Sequence, residues 1–182
     1  MRKVADRVSQ LETERGIAPG AVRKIAMLES PAALLLACEI ATASPRMAGL
    51  TRGMEDYGTT MGTTPNADVL RPACYQITQA ARAAGIAPLA VPAAMANFRD
   101  AEEMESAAGW ARRIGAVGGY ALHPFQVEIL NRVFAPSEEE IAWAHRVVEA
   151  AAKAKLEGAG VFTVDDKICL LYTSPSPRDV EE

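Results

Sequence analysis

The pattern that most constrains this chain is a series of short apolar runs that do not alternate in polarity. They are KIAML (residues 24–28), MAGLTRG (47–53), PLAVPAAM (88–95) and GGYAL (118–122). A short run that is mainly apolar and does not alternate fits a strand covered on both faces, which is the situation in a parallel sheet. Helical segments lie between the runs. Ser30 and Pro31 suit an N-cap and a first helical turn, and the helix they open is expected to reach about Ser44, before Pro45. Further helices are expected over residues 69–84, 101–113 and 123–134. Ser137 and Glu140 have capping-box spacing for one reaching about residue 155. An amphipathic helix over residues 2–15 precedes the first strand, and Gly16 stops it. Alternating strand and helix implies an α/β fold with right-handed crossovers. The units amount to half of a (β/α)8 barrel, and a flavodoxin-like sheet accommodates them equally well.

Chemistry in parallel α/β folds gathers at the carboxyl ends of strands. Glu29 closes the first strand, and Glu55 and Asp56 follow the second. Carboxylates on neighbouring strand ends can share Mg²⁺, which takes oxygen ligands and keeps waters for substrate. No His or Cys cluster competes for a softer metal. The alternative for each acidic residue is a helix cap or a partner of the helix dipole. His123, before Pro124, is expected to make a structural hydrogen bond. His145 is expected at the surface, and Met54, Met61 and Met95 in packing roles.

Composition narrows the function classes. The 182 residues suffice for one domain, with 49% hydrophobic and 23% charged residues and a net charge of −4. No basic stripe offers a nucleic-acid surface, which needs clustered Lys and Arg. No stretch has the length and hydropathy of a bilayer span, and the first helix lacks the apolar centre of a signal peptide. Cys38, Cys74 and Cys169 form neither a CxxC pair nor an even set, which points to a reducing, cytoplasmic setting.

Three segments also resemble a known family. They are KIAMLESPAALLLACEIATASPRMAGLTRGMEDYGTTMG (24–62), ARAAGIAPLAVPAAMANFRD (81–100) and GGYALHPFQVEILNRVFAPSEEEIAWAHRVVEA (118–150). In order and spacing they resemble the citrate lyase beta-subunit and malyl-CoA lyase group of the HpcH/HpaI aldolase superfamily, across residues 15–166. The resemblance implies a partial TIM (β/α)8 barrel, strands five to eight with their helices, over residues 1–168. It implies that Glu29 and Asp56 bind Mg²⁺, and that backbone N–H groups of Gly53, Met54 and Glu55 face the substrate. The implied activity is carbon–carbon bond cleavage in a 3-hydroxyacyl-CoA of the malyl-CoA or citryl-CoA type, through a metal-stabilised enolate. Related members act as 4-hydroxy-2-oxo-acid aldolases without CoA, and a non-catalytic barrel subunit is the third reading. Trimers or hexamers are the family's implied assemblies.

The sequence departs from the family pattern in three places. Nothing here corresponds to the first four strands, with their substrate-contacting Arg, so the chain alone is expected to be inactive and to self-associate. After VDDKI (164–168) the pattern gives way to CLLYTSPSPRDVEE, so residues 169–182 are expected to be a non-native tail resembling a translated sequencing adaptor. The family's acid/base Asp would be lost with it, and Asp165 and Asp166 lie too early to replace it. AVPAAMANFRD (90–100) lacks an acidic residue found in many citrate lyase beta subunits, which points away from a strict citryl-CoA enzyme.

Overall fold

In the computed structural model, which describes residues 2–93 and 99–171, β1 (Lys24–Leu28) and β2 (Met47–Arg52) run parallel and side by side. Their register sets Ile25 against Gly49, Met27 against Thr51 and Leu28 against Arg52. A third strand, β3 (Ala87–Leu89), joins the far edge of β2, giving the order β1-β2-β3. The arrangement is the α/β architecture with a parallel sheet that the apolar runs imply.

Between β1 and β2 the chain forms two short helices, α2 (Pro31–Leu35) and α3 (Ala37–Ala41), rather than the single expected one. Ser30 caps α2 by accepting from Ala33 N–H, and Leu36, at φ −98° and ψ 15°, interrupts the helical path. A helix α4 (Met54–Thr60) follows β2 where the Gly, Thr and Pro content suggests only a loop. Asn66 then caps α5 (Ala67–Ala83) with hydrogen bonds from Asp68 N–H and Val69 N–H. One face of the sheet, with Leu28 and Leu50, packs against Ala37, Ala73, Cys74 and Ile77 of α3 and α5. Burial of this kind contributes roughly 25 cal/mol per Å² of apolar surface removed from water. The opposite face carries Ile25, Met27 and Glu29 from β1 and Gly49, Thr51 and Gly53 from β2. Ile25 and Met27 are each 44% exposed there.

Over the described residues, the third and fourth expected strands are shorter than their apolar runs. Residues 90–93 continue from β3 without strand pairing, and Met95 lies outside the described residues. Of the 118–122 run, only Gly118 pairs, as a single parallel bridge to Leu89. Gly118 and Gly119 supply no side chains to fill a sheet face, and Leu122 is 73% exposed. Asp100 caps α6 (Ala101–Arg113), which packs on α7 (Pro124–Phe134).

The amino-terminal helix α1 (Arg2–Glu14) is tied to the sheet by a buried ion pair. Glu12 is 1% exposed and binds Arg46, with one carboxylate oxygen 2.7 Å from Nη1. Val22 N–H and Gly20 N–H donate to the same carboxylate at 2.8 and 2.9 Å. All of these donors satisfy a charge that would otherwise be costly to bury.

The chain divides into two compact units, Met1–Phe134 and Ala135–Glu182. In the second, α8 (Glu138–Leu156) starts at the expected capping box, with Ser137 Oγ accepting from Glu140 N–H and Glu140 Oε2 accepting from Ser137 N–H. The antiparallel strands β4 (Val161–Val164) and β5 (Lys167–Leu170) form a hairpin against α8. Its two-residue turn, Asp165 and Asp166, has φ of 49° and 60°. Two successive left-handed residues are what a tight type I′ hairpin requires. Arg146 donates to Asp165 Oδ2 at 2.7 Å and joins α8 to the turn. Cys169 and Leu170, at the expected tail junction, pair in β5, and residues 172–182 lie outside the described residues.

Candidate metal centre at the ends of β1 and β2

The parallel register that aligns Leu28 with Arg52 carries the chain one residue further to Glu29 and Gly53. Gly53 N–H donates to Leu28 carbonyl at 3.2 Å, which extends the ladder to the sheet end. The Glu29 side chain lies directly on the bare Cα of Gly53. A Cβ there would stand 2.7 Å from Glu29 Cγ and 2.8 Å from Oε1. The backbone at Gly53 is ordinary, with φ −81° and ψ 113°, so the glycine is needed for space rather than for conformation.

Gly53 is also the N-cap of α4 and makes no side-chain capping bond. Met54, Tyr57 and Gly58 form the buried face of this helix, at helical spacing, and Glu55 and Asp56 are exposed in its first turn. Gly58 packs on Pro65, where a Cβ would meet the proline ring at 3.1 Å. Thr60 Oγ1 donates to Asp56 carbonyl at 2.7 Å and stands 3.5 Å from Glu29 carbonyl, so one hydroxyl lies between the two acidic segments.

Glu29 and Asp56 therefore emerge at neighbouring strand ends with exposed side chains, as the strand-end pattern predicts. Glu29 caps no helix, because Ser30 caps α2. Asp56 lies in the third position of α4, where its charge also suits the helix amino end. Glu55 shares the first turn. The N–H of Gly53, expected to face a substrate, is instead given to the Leu28 carbonyl in the sheet, and what Gly53 offers this strand end is the absence of a side chain. The donor chemistry suits a hard divalent cation: two exposed carboxylates, oxygen only. Among the described residues no three His, Cys, Asp or Glu side chains gather into a closed cage.

Beneath the site lies a residue the strand-end reasoning passed over. Arg52 is 3% exposed, and Nη2 donates to Met54 Sδ and Cys74 Sγ, each at 3.4 Å. Its guanidinium stands 5.0 Å from the centroid of the Tyr57 ring. Burial depresses the Arg52 pKa and pushes the Cys74 thiol up to about 11, with the Arg52 charge acting the other way on the thiol. A charge in the penultimate position of an otherwise apolar stretch was the available signal.

The two histidines take structural and surface positions. His123 Nδ1 accepts from Phe125 N–H at 3.3 Å, while the 2%-exposed Gln126 accepts from Leu122 N–H and His123 N–H. The HPFQ sequence thus shapes the start of α7. His145 is exposed on α8. Met54 packs on Leu70 as expected, but Met61 is 47% exposed and does not serve as core, because α4 ends before it and turns it outward.

The family model for HpcH/HpaI aldolase/citrate lyase matches residues 1–124. The citrate lyase subunit beta of Haemophilus influenzae is 34% identical over 163 residues, covering 88% of this chain and 55% of the relative. The L-malyl-CoA/beta-methylmalyl-CoA lyase of Rhodobacter capsulatus is 33% identical over 175 residues, covering 84% and 54%. Among solved structures, protein CitE from Mycobacterium tuberculosis in complex with magnesium, acetoacetate and coenzyme A superimposes with a TM-score of 0.65. It is 28% identical, over 97% of this chain and 72% of that one. The chain spans about half the length of the curated relatives it matches. By sequence and fold together, this chain belongs to the HpcH/HpaI aldolase/citrate lyase family.

Proposed function

We propose that this chain carries the metal-binding half of a Mg²⁺-dependent carbon–carbon lyase acting on a 3-hydroxyacyl-CoA of the malyl-CoA or citryl-CoA type. The observation that carries the reading is the seat of the Glu29 carboxylate on Gly53, with Asp56 one helical turn into the neighbouring element. In this reading β1, β2, β3 and the Gly118 bridge are strands five to eight of a TIM barrel, and the open face with Ile25 and Met27 is the barrel interior. The small-molecule partner is an acyl-CoA or oxo-acid, and the full-length protein assembles as a trimer or hexamer.

Each residue has a definable task. Glu29 and Asp56 would hold the cation from two strand ends, Glu29 kept in place because Gly53 leaves room for it. The bound cation would supply positive charge to substrate oxygens on which negative charge grows as the carbon–carbon bond breaks. Backbone N–H groups of Met54 and Glu55, in the first turn of α4, would point at the same region, where helix geometry offers donors to an anion. Gly53 contributes the close approach that a side chain would forbid.

Calorimetric titration of Mg²⁺ into the chain, with oxaloacetate present, tests this reading. Binding that is lost in both Glu29→Gln and Asp56→Asn supports it. Binding indifferent to both substitutions returns the two carboxylates to roles as helix-dipole partners and favours a non-catalytic barrel subunit.

A further inference from the structure

A helix of seven residues has little stability of its own, because nucleating a helix costs more than so few hydrogen bonds return. Its N-cap, Gly53, adds no side-chain bond. Something else must fix α4, and with it Asp56, against the sheet end. Met54 packs on Leu70 and Gly58 on Pro65, and one side chain, Arg52, links the inner face of the helix to both β2 and α5. Arg52 reaches from the end of β2 to Met54 Sδ in the first turn of α4, to the Tyr57 ring one turn on, and to Cys74 Sγ on α5. It is 3% exposed, and among the described residues its Nε and Nη1 have no hydrogen-bond partner and no carboxylate neutralises it. A buried, uncompensated guanidinium costs stability, and a core that needed only volume would be better served by Met or Leu. What the charge provides is direction: a planar cation is attracted to the face of an aromatic ring, and its Nη2 group donates to two sulfur acceptors on two different helices.

We propose that Arg52 is a positioning residue that clamps α4 between β2 and α5 through Tyr57, Met54 and Cys74, and thereby sets the place of Asp56 at the metal centre. The inference rests on the reading of Asp56 as a metal ligand. Arg52 touches neither cation nor substrate; it acts through the helix that carries Asp56.

Two readouts on the whole chain separate this role from general packing. The first is amide hydrogen exchange without metal. Arg52→Met, which keeps the volume and removes the charge, should accelerate exchange over Met54–Thr60 by about tenfold or more, with Ala67–Ala83 still protected. The second is Mg²⁺ affinity. Arg52→Met and Tyr57→Leu should each weaken binding about tenfold, and the double variant should be no weaker than either, because both remove one clamp. Tyr57→Phe keeps the ring and should match the parent in both readouts, which also guards against a variant that fails to fold. Unchanged exchange in α4, or acceleration spread equally over α5, overturns the proposal. So does a double variant whose losses simply add. The metal reading fails separately, by Mg²⁺ binding that ignores Glu29→Gln and Asp56→Asn.

Discussion

The carboxylate of Glu29 occupies the space that a side chain at residue 53 would take, with Gly53 Cα as its floor. Backbone strain plays no part, since φ at Gly53 is −81°. Gly53→Ala should therefore leave folding nearly unchanged, and lower chain entropy in the unfolded state offsets part of any cost. It should displace Glu29 and weaken Mg²⁺ binding by about tenfold or more, as misplacing one of two ligands by even a fraction of an ångström does. Paired thermal melts and metal titrations check this. Equal affinity in parent and variant would show that Glu29 has no part in metal binding.

The Glu12–Arg46 pair makes unit 1 acid-sensitive in a defined window. The hydrogen bond from Arg46 and the N–H groups of Val22 and Gly20 hold the Glu12 carboxyl down to about 2 from its ordinary 4.5, against the opposing effect of burial. A depressed folded-state pKa stabilises the fold above the unfolded value and loses that contribution as pH falls toward the folded one. Stability should thus decline between about pH 4.5 and 2. Glu12→Gln should be less stable at neutral pH and should lose this dependence. Chemical denaturation at stepped pH measures both.

Cys74 should be nearly inert to alkylation while the fold is intact, because it is buried and its thiol is pushed up to about 11. The reactive species is the thiolate. Cys38 is exposed and should be labelled first. Iodoacetamide labelling read by mass spectrometry should show Cys74 modified only in denaturant. Early labelling of Cys74 would place α5 elsewhere.

In unit 2, Asp166 adopts φ of 60° at the second turn position of the hairpin, where glycine has no steric cost. Asp166→Gly should stabilise the hairpin by about 0.5–1 kcal/mol, seen as slower exchange across β4 and β5. A loss of protection would mean that the aspartate side chain itself supports the turn.

Much of this was legible in the residues. The run KIAML ends where β1 ends and places Glu29 at the sheet end, and MAGLTRG does the same for Glu55 and Asp56. Ser30 and Ser137 each cap the helix they precede, as their spacing implies, while the cap that Asp100 gives α6 went unread. The misses have tertiary causes. Helix α4 is rich in Gly and Thr, which favour turns, and it forms because Met54 and Tyr57 pack on Leu70 and Arg52. The 88–95 run is apolar enough for a long strand, but among its described residues, 88–93, pairing ends at Leu89, since β-strand length depends on a partner that the local sequence does not reveal. The turn at Asp165 and Asp166 lacks the glycine that usually marks such hairpins, and its strands went unread. For Arg52 the sequence offers only a charge inside an apolar run; its contacts with Tyr57, Met54 and Cys74 exist only in the folded chain.

The central claim, that a divalent cation sits between the ends of β1 and β2, is tested most directly by replacing Mg²⁺ with Mn²⁺ and recording paramagnetic broadening of the backbone amide resonances. The account predicts that broadening is strongest at Glu29 and over residues 53–56 and disappears in Glu29→Gln and Asp56→Asn. Broadening centred on any other segment, or unaltered in both variants, would contradict it.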